Sequence, residues 1–600
     1  MRSFLVLFFL STVALAQKPS DDDAFLDAMY AVRTFHAVAI SPDGTKVAWA
    51  ERKGGITVAN VDGSAARHLT TDDEEHVAWS PDSRTLAYVG GSGARKQLFV
   101  ARGSDSPKQL TNVTGYLSEP HWSPDGKSIA FLLIENAARA AGPLVAMSRA
   151  VGPIQEHIEE QRIAVADVAT KKLRVVTPAN MYVYHFDWSP DGTRIAFIEG
   201  LMSDEGSTGG DLFVLDVGGL LNPSGRAGEP APHDIKPNVK ATVTSFEWTG
   251  DDQITAGVNV AGESEIARVR VSDGASEGLW RGAEVVSEHG LIGVSLARDG
   301  LTSAVIRSSF RRPPEIWAGK IGAWKQISHR NDDVKATWGE ARSVHWKSDE
   351  FDVQGWLLAP NVGASASGAR PGAPTHPVIV QIHGGPASAA LPGWPDPRAA
   401  LLSKKGYFVF FPNPRGSYGQ GEAFVRANVK DFGGGDLRDV LAGLDAIAKE
   451  APVDTRRAGI WGWSYGGFMT MWTVTQTQRF RAAVAGAGIA DWVSYYGEND
   501  IDQWMIPYFG ASVYDDPAVY GKSAPINFIK NAKTPTLVLV GERDGECPAP
   551  QSFEFWHALK EMGTETQLVV YPDEGHSIQK PEHRRDIARR LVGWFDTHLQ

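Results

Sequence analysis

Cysteine is almost missing from this chain: Cys547 is the only one in 600 residues. A single thiol excludes an intramolecular disulfide, and its position excludes a lipid-modified cysteine near the amino terminus. Apolar burial must hold the fold instead, and 42% hydrophobic residues over this length can supply it in two or more domains. Basic excess is missing too. The 59 lysines and arginines face 71 acidic residues, a net charge of -12, with no basic block. Nucleic acid is therefore not an expected partner. No apolar run reaches the roughly 20 residues that span a bilayer, so no membrane span is expected. Neither H-E-x-x-H nor a Cys/His cluster at ligand spacing occurs, and the reading calls for no metal and no other cofactor.

The opening "MRSFLVLFFLSTVALAQ" has one positive charge at Arg2, a short apolar stretch and the small-x-small end Ala14-Leu15-Ala16. This is the pattern of a secretory signal peptide at 1–16, cleaved before Gln17, and it predicts a periplasmic or secreted protein.

From about residue 35 to residue 340 one signature recurs. "AISPDGTKVAWA", "AWSPDSRTLAYVG", "HWSPDGKSIAFLL" and "FDWSPDGTRIAFIE" carry turn aspartates at Asp43, Asp82, Asp125 and Asp191, spaced 39, 43 and 66 residues apart. Weaker copies are "FEWTGDDQITAGV" and "SLARDGLTSAVI". Each copy runs an apolar strand into a Pro-Asp-Gly turn and an alternating strand out of it, which predicts a β-hairpin. Asp, Pro and Gly there shape the backbone before they bind anything. The spacing suits one propeller blade per repeat, with an insertion in the third gap. A β-propeller of six to eight blades is therefore expected at 17–340. Trp122 and Trp188, before their turns, read as packing between blades.

After residue 340 continuous apolar strands alternate with helix-length segments: "HPVIVQIHGG", "GYFVFFPNPRG", "RAGIWGWSYGG", "TPTLVLVGERD" and "TQLVVYPDEGH". That pattern predicts a doubly wound, mostly parallel sheet covered on both faces, over 341–600. Gly462-Trp463-Ser464-Tyr465-Gly466 is a G-x-S-x-G turn at a strand's carboxyl end, where such sheets place reacting groups. A serine hydroxyl needs a base, and the base needs an acceptor that fixes its tautomer. Asp544 and His576 each stand just beyond a later apolar strand, in the nucleophile, acid, histidine order of α/β-hydrolases. Glu542 and Asp573 are the rival acids. An unperturbed imidazole would titrate near about 6.5. Gly385 and Tyr465 are the expected amide donors to a developing oxyanion, and His383 is read as structural. The aromatic stretch at 492–510 offers Tyr495, Tyr496, Trp504 and Tyr508 as substrate-binding residues, or as core.

These motifs, with "HGGP" at 383–386, "NPRGSYGQGEAF" at 413–424 and "DFGGGDLRDV" at 431–440, resemble the prolyl oligopeptidase family of serine peptidases, especially its acylaminoacyl-peptidase and dipeptidyl-peptidase branches. The resemblance spans nearly the whole chain. It implies a propeller plus an α/β-hydrolase domain, with Ser464, Asp544 and His576 as catalytic residues, Gly385 and Tyr465 as oxyanion donors, and short peptides as substrates. Relatives with dipeptidyl-peptidase activity resemble this chain in carrying paired propeller glutamates for a free amino terminus, and Glu159 and Glu160 stand side by side in the long third gap. One departure is plain. Where many relatives resemble Asp-x-Arg-Val-Pro, this chain reads Asp544-Gly545-Glu546-Cys547-Pro548. Glu546 then favours a positively charged substrate group or is a solvated loop residue, and Cys547 is a small buried one. An esterase with the same triad and a non-catalytic TolB-like scaffold are the alternatives.

Overall fold

The SPDG hairpins close on their own turns in the computed structural model, which describes residues 20–599 apart from 92–95, 104, 138–144, 148–159, 178–181, 200–211, 217–232, 235–239, 362–374 and 502–503. The signal-peptide reading at 1–16 and Glu159 lie outside the described residues. In the first hairpin the Ser41 hydroxyl donates to Asp43 Oδ1 at 2.6 Å, and the same oxygen accepts the Thr45 amide at 3.0 Å. The Ser189–Asp191 turn repeats this pattern. The aspartates are thus occupied by their own turns.

Among the described residues the hairpins form six antiparallel sheets in chain order, five of four strands and a last one of five. Six blades is the low end of the range that the repeats predict. Tryptophans stitch neighbours together: Trp79 Nε1 donates to the Ala39 carbonyl of the first blade, and Trp122 Nε1 to Ala78 of the second. The first blade packs on the last, with Val47 and Trp49 in one apolar cluster with Ala304 and Ile316. The Val38 amide bonds the Glu288 carbonyl at 2.8 Å across the same seam. Chain entry and exit are tied beside it, because Glu51 pairs with both Arg33 and Arg330. Asn331 also bonds the Arg33 backbone in both directions, at 2.8 and 3.0 Å.

The segment before the first repeat packs away from the blades. Ser20 and Asp23 form a reciprocal capping box that starts a helix at Asp21–Tyr30. This helix joins no blade. Leu26 and Met29 pack with Trp338, Leu401 and Leu591 of the carboxyl-terminal half, and Asp23 and Asp27 pair with Arg589 and Arg585 at 2.6 Å. The α/β body therefore takes its first helix from before the propeller.

Among the described residues that body holds eight strands, here β1 (Ala341–Ser348), β2 (Phe351–Leu358), β3 (His376–Ile382), β4 (Phe408–Asn413), β5 (Val453–Trp463), β6 (Ala482–Gly486), β7 (Thr536–Gly541) and β8 (Thr566–Tyr571). Their spatial order is β1-β2-β4-β3-β5-β6-β7-β8. β1 and β2 are antiparallel, and β3 to β8 run parallel. Two apolar clusters, one on each face, bury strands such as β6 and β7 completely. Among the described residues no helix is long and apolar enough to cross a membrane.

Candidate active site

β5 delivers Ser464 into a turn that only small neighbours permit. The serine has φ 63° and ψ -126°, a positive φ outside the ordinary regions, and the helix Tyr465–Gln476 begins at the next residue. A Cβ on Gly462 would stand 2.4 Å from the Gly466 carbonyl oxygen, and one on Gly466 would stand 2.2 Å from the Ile382 carbonyl oxygen. Both glycines are therefore required by close backbone approach, and the strain they permit holds the hydroxyl above the sheet.

The two long motifs after β4 brace this turn from below. Arg415 donates to both oxygens of Asp439, at 2.6 and 2.9 Å, in a fully buried pair. Asp436, next along the same segment, accepts the Tyr465 hydroxyl. Burial raises its carboxyl to about 6. His383 bonds Ser417 Oγ at 2.8 Å through Nε2, in keeping with a structural part.

Asp544 and His576 lie on the loops after β7 and β8. His576 Nδ1 donates to Asp544 Oδ2 at 2.8 Å. The other carboxylate oxygen of Asp544 accepts the amides of Glu546 and Cys547 at 2.9 and 2.8 Å, so the loop folds around its own acid. The rival acids are engaged elsewhere: Glu542 accepts the Asp573 amide at 2.8 Å, and Asp573 faces Arg543 and Lys580. Glu574 was not singled out in the sequence. Its buried carboxylate accepts the amides of Gln579 and Lys580 and meets His583 Nδ1, which pins the loop carrying His576. The Asp-Glu-Gly-His string gave no local sign of that job.

Glu546 is not a solvated loop residue. Its side chain is 14% exposed and Oε2 lies 3.2 Å from His576 Nε2. The imidazole is thus held between two carboxylates. Burial alone would lower its pKa, but Asp544 and then Glu546 outweigh burial and raise it to about 9. Cys547 is buried, with its thiol pushed well up by that burial and within hydrogen-bonding reach of the Ser464 side chain.

Ser464, Glu546 and Cys547 share a cavity of about 80 Å³ with Gly385, Tyr465, Trp492, Tyr495 and Trp504. Tyr465 opens its helix, where first-turn amides have no intrahelical acceptor, and Gly385 comes from the loop after β3. Of the four aromatic candidates, Tyr495 and Trp504 reach the cavity. Tyr508 instead packs on Phe432, and Tyr496 on Tyr514 and Tyr520. Trp492 was missed. Glu160 lies 3.9 Å from Arg162 and is not among the cavity residues.

The propeller bonds the α/β body at two places, one of them beside the site. Met147, in the third-blade insertion, exchanges hydrogen bonds with Arg543 at 2.9 and 3.0 Å, one residue before Asp544. The Ala261 amide of the fifth blade bonds the Gly419 carbonyl at 2.7 Å.

Residues 395–600 match the model of the prolyl oligopeptidase family, and residues 52–291 match that of the lipoprotein LpqB beta-propeller domain. An uncharacterized peptidase of Bacillus subtilis, YuxL, is 28% identical over 87% of this chain and 89% of its own length. Dipeptidyl-peptidase 5 of Porphyromonas gingivalis is 24% identical over 88% of this chain and 67% of its own. Among solved structures, the acylaminoacyl peptidase of Pyrococcus horikoshii shares the fold, with a TM-score of 0.73 at 20% identity over 96% of this chain and 97% of that one.

Proposed function

We propose that this chain, whose residues 395–600 match the prolyl oligopeptidase family model, is a serine-type peptidase that hydrolyses short peptides through an acyl-enzyme on Ser464. His576 takes the serine proton as the hydroxyl attacks the scissile carbonyl, then returns it to the leaving amine. Asp544 fixes the imidazole and stabilises its cationic form. The Tyr465 and Gly385 amides receive the oxyanion, and water releases the acyl group in a second passage through the same steps. The propeller, bonded to the loops at Gly419 and Arg543, restricts access to short substrates. Arg2 and the Ala14-Leu15-Ala16 end support export to the periplasm or beyond.

The observation that carries this reading is the Asp544–His576 hydrogen bond of 2.8 Å, on loops adjoining the strained Ser464 turn. An esterase would use the same groups. Peptides are favoured over esters by the family and over acylated peptides by Glu546, whose carboxylate in the cavity wall suits a substrate ammonium group. It takes the part that the Glu159–Glu160 pair was read to play. Such a charge-assisted contact contributes about 1.5–3 kcal/mol, or roughly tenfold or more in rate. A fluorogenic panel pairing each short peptide with its N-acetylated form tests this. Free-amine peptides should be cleaved faster, with the preference lost in Glu546→Gln. Faster cleavage of the acetylated set would overturn the amine reading, and cleavage of esters alone would overturn the peptidase reading.

A further inference from the structure

A second cavity, of about 460 Å³, runs along the propeller axis. Among its described lining residues four are acidic: Glu119, Asp187, Glu247 and Glu288. Among the same described residues Arg298 is the one arginine, with its guanidinium on the Pro81 carbonyl, and there is no lysine. Carboxylates gathered out of water are costly unless a counter-charge meets them. Burial and the neighbouring Glu288 drive Glu247 toward its neutral, protonated form, and histidines or a bound cation can supply the counter-charge for the others.

Glu119 and His121 lie on the innermost strand of the third blade, and His185 on that of the fourth. One ligand atom from each comes within 4.8 Å of the others. His185 is fully buried. Its Nε2 is 2.8 Å from the Phe246 carbonyl oxygen, which can only accept, so this nitrogen carries a hydrogen. A neutral ring then turns the Nδ1 lone pair toward Glu119 Oε2, 3.1 Å away. Two acceptors facing at that distance need a cation between them, either a proton or a metal ion. His121 shows the same second contact. Its Nδ1 is 3.2 Å from Asp187 Oδ1, which leaves Nε2 as its lone-pair nitrogen. Asp187 is in turn oriented by the amides of Trp188 and Trp248, at 2.8 and 2.7 Å.

An outer carbonyl or carboxylate that takes the second ring N–H is the usual surrounding of metal-binding histidines. Two imidazoles and one carboxylate suit zinc or a related first-row ion, with ligand distances of about 2.0–2.2 Å. We propose that Glu119, His121 and His185 bind one such divalent cation on the propeller axis. The ion cross-links the third and fourth blades and takes no part in hydrolysis at Ser464. His289 Nδ1, 3.6 Å from Glu119 Oε1, flanks the same carboxylate from the sixth blade.

The test uses the full chain, stripped with a chelator and titrated with Co²⁺ as a spectroscopic stand-in for Zn²⁺. One equivalent should bind saturably with the visible bands of a low-coordinate site, and Zn²⁺ should displace it. Zn²⁺ should also raise the melting temperature of the stripped protein. His185→Gln should abolish binding, and Asp187→Asn, which keeps all three ligands, should weaken it by about 10- to 100-fold. Circular dichroism reports whether each variant folds, and the wild-type titration decides alone if neither does. No saturable binding by the folded wild type, or binding unchanged in folded His185→Gln, would overturn the proposal and leave a cluster held by protons.

Discussion

His576 faces Asp544 through one ring nitrogen and Glu546 through the other, at 2.8 and 3.2 Å. Both contacts stabilise the imidazolium, and in the proposed mechanism only the neutral ring can accept the Ser464 proton. With the pKa raised to about 9, kcat/KM for a neutral substrate should climb as pH passes about 9, well above the 6.5 or so of an unperturbed imidazole. Glu546→Gln removes one of the two carboxylates, so its limb should shift to lower pH and its rate on acetylated peptides at pH 7 should rise. A pH–rate series on both proteins checks this, and a wild-type limb near 6.5 that Glu546→Gln leaves in place would refute it. The stability linkage has the matching sign. A folded pKa above the unfolded one stabilises fully below about 6.5, and the contribution is lost as pH rises through about 9. Ser464, Asp544 and His576 were legible because each follows a strong apolar strand. The grip of Glu546 on His576 was not. It arises because Asp544 gathers the amides of residues 546 and 547 and curls the loop inward, a tertiary outcome with no local pattern.

At the scale of elements, the turn between β5 and its helix works only while three backbones stay in contact. Gly466→Ala places a methyl 2.2 Å from the Ile382 carbonyl oxygen, and backbone on backbone has little room to yield. Such overpacking costs about 1–3 kcal/mol. The variant should melt several degrees lower and lose most hydrolysis even where it remains folded, because β3 and the Gly385 loop must move. Thermal melts and a kcat measurement check it, and wild-type values for both would show that the turn is looser than described. The hairpins of the first half were readable in detail, since Ser, Pro, Asp and Gly specify each turn locally. The blade count was only bracketed, because insertions in the third and later gaps break the period. The helix at Asp21–Tyr30 was not read from the sequence, although Ser20 and Asp23 signal its start. Its position after a signal-like segment and before the first repeat grouped it with the propeller, and only packing on Trp338 and Leu591 reveals its partner.

Across the whole molecule, residues distant in sequence meet in ways that no motif scan can find. The histidine–carboxylate cluster on the propeller axis draws on positions 119, 121 and 185, each on an ordinary strand, so no local ligand spacing marks it. The contacts of Met147 with Arg543 and of Ala261 with Gly419 likewise join halves that the sequence presents as separate. The α/β body was legible from strand order alone, and it sets the proposed nucleophile Ser464 at a strand end where its chemistry can be tested directly. The decisive measurement is labelling of the folded full chain with a fluorophosphonate, read by intact mass and peptide mapping alongside peptide hydrolysis. One adduct per chain should map to Ser464, with labelling and hydrolysis both absent in Ser464→Ala and both strongly reduced in His576→Ala and Asp544→Asn. A folded wild-type protein that takes no label, or a Ser464→Ala variant that still cleaves peptides, would contradict the assignment.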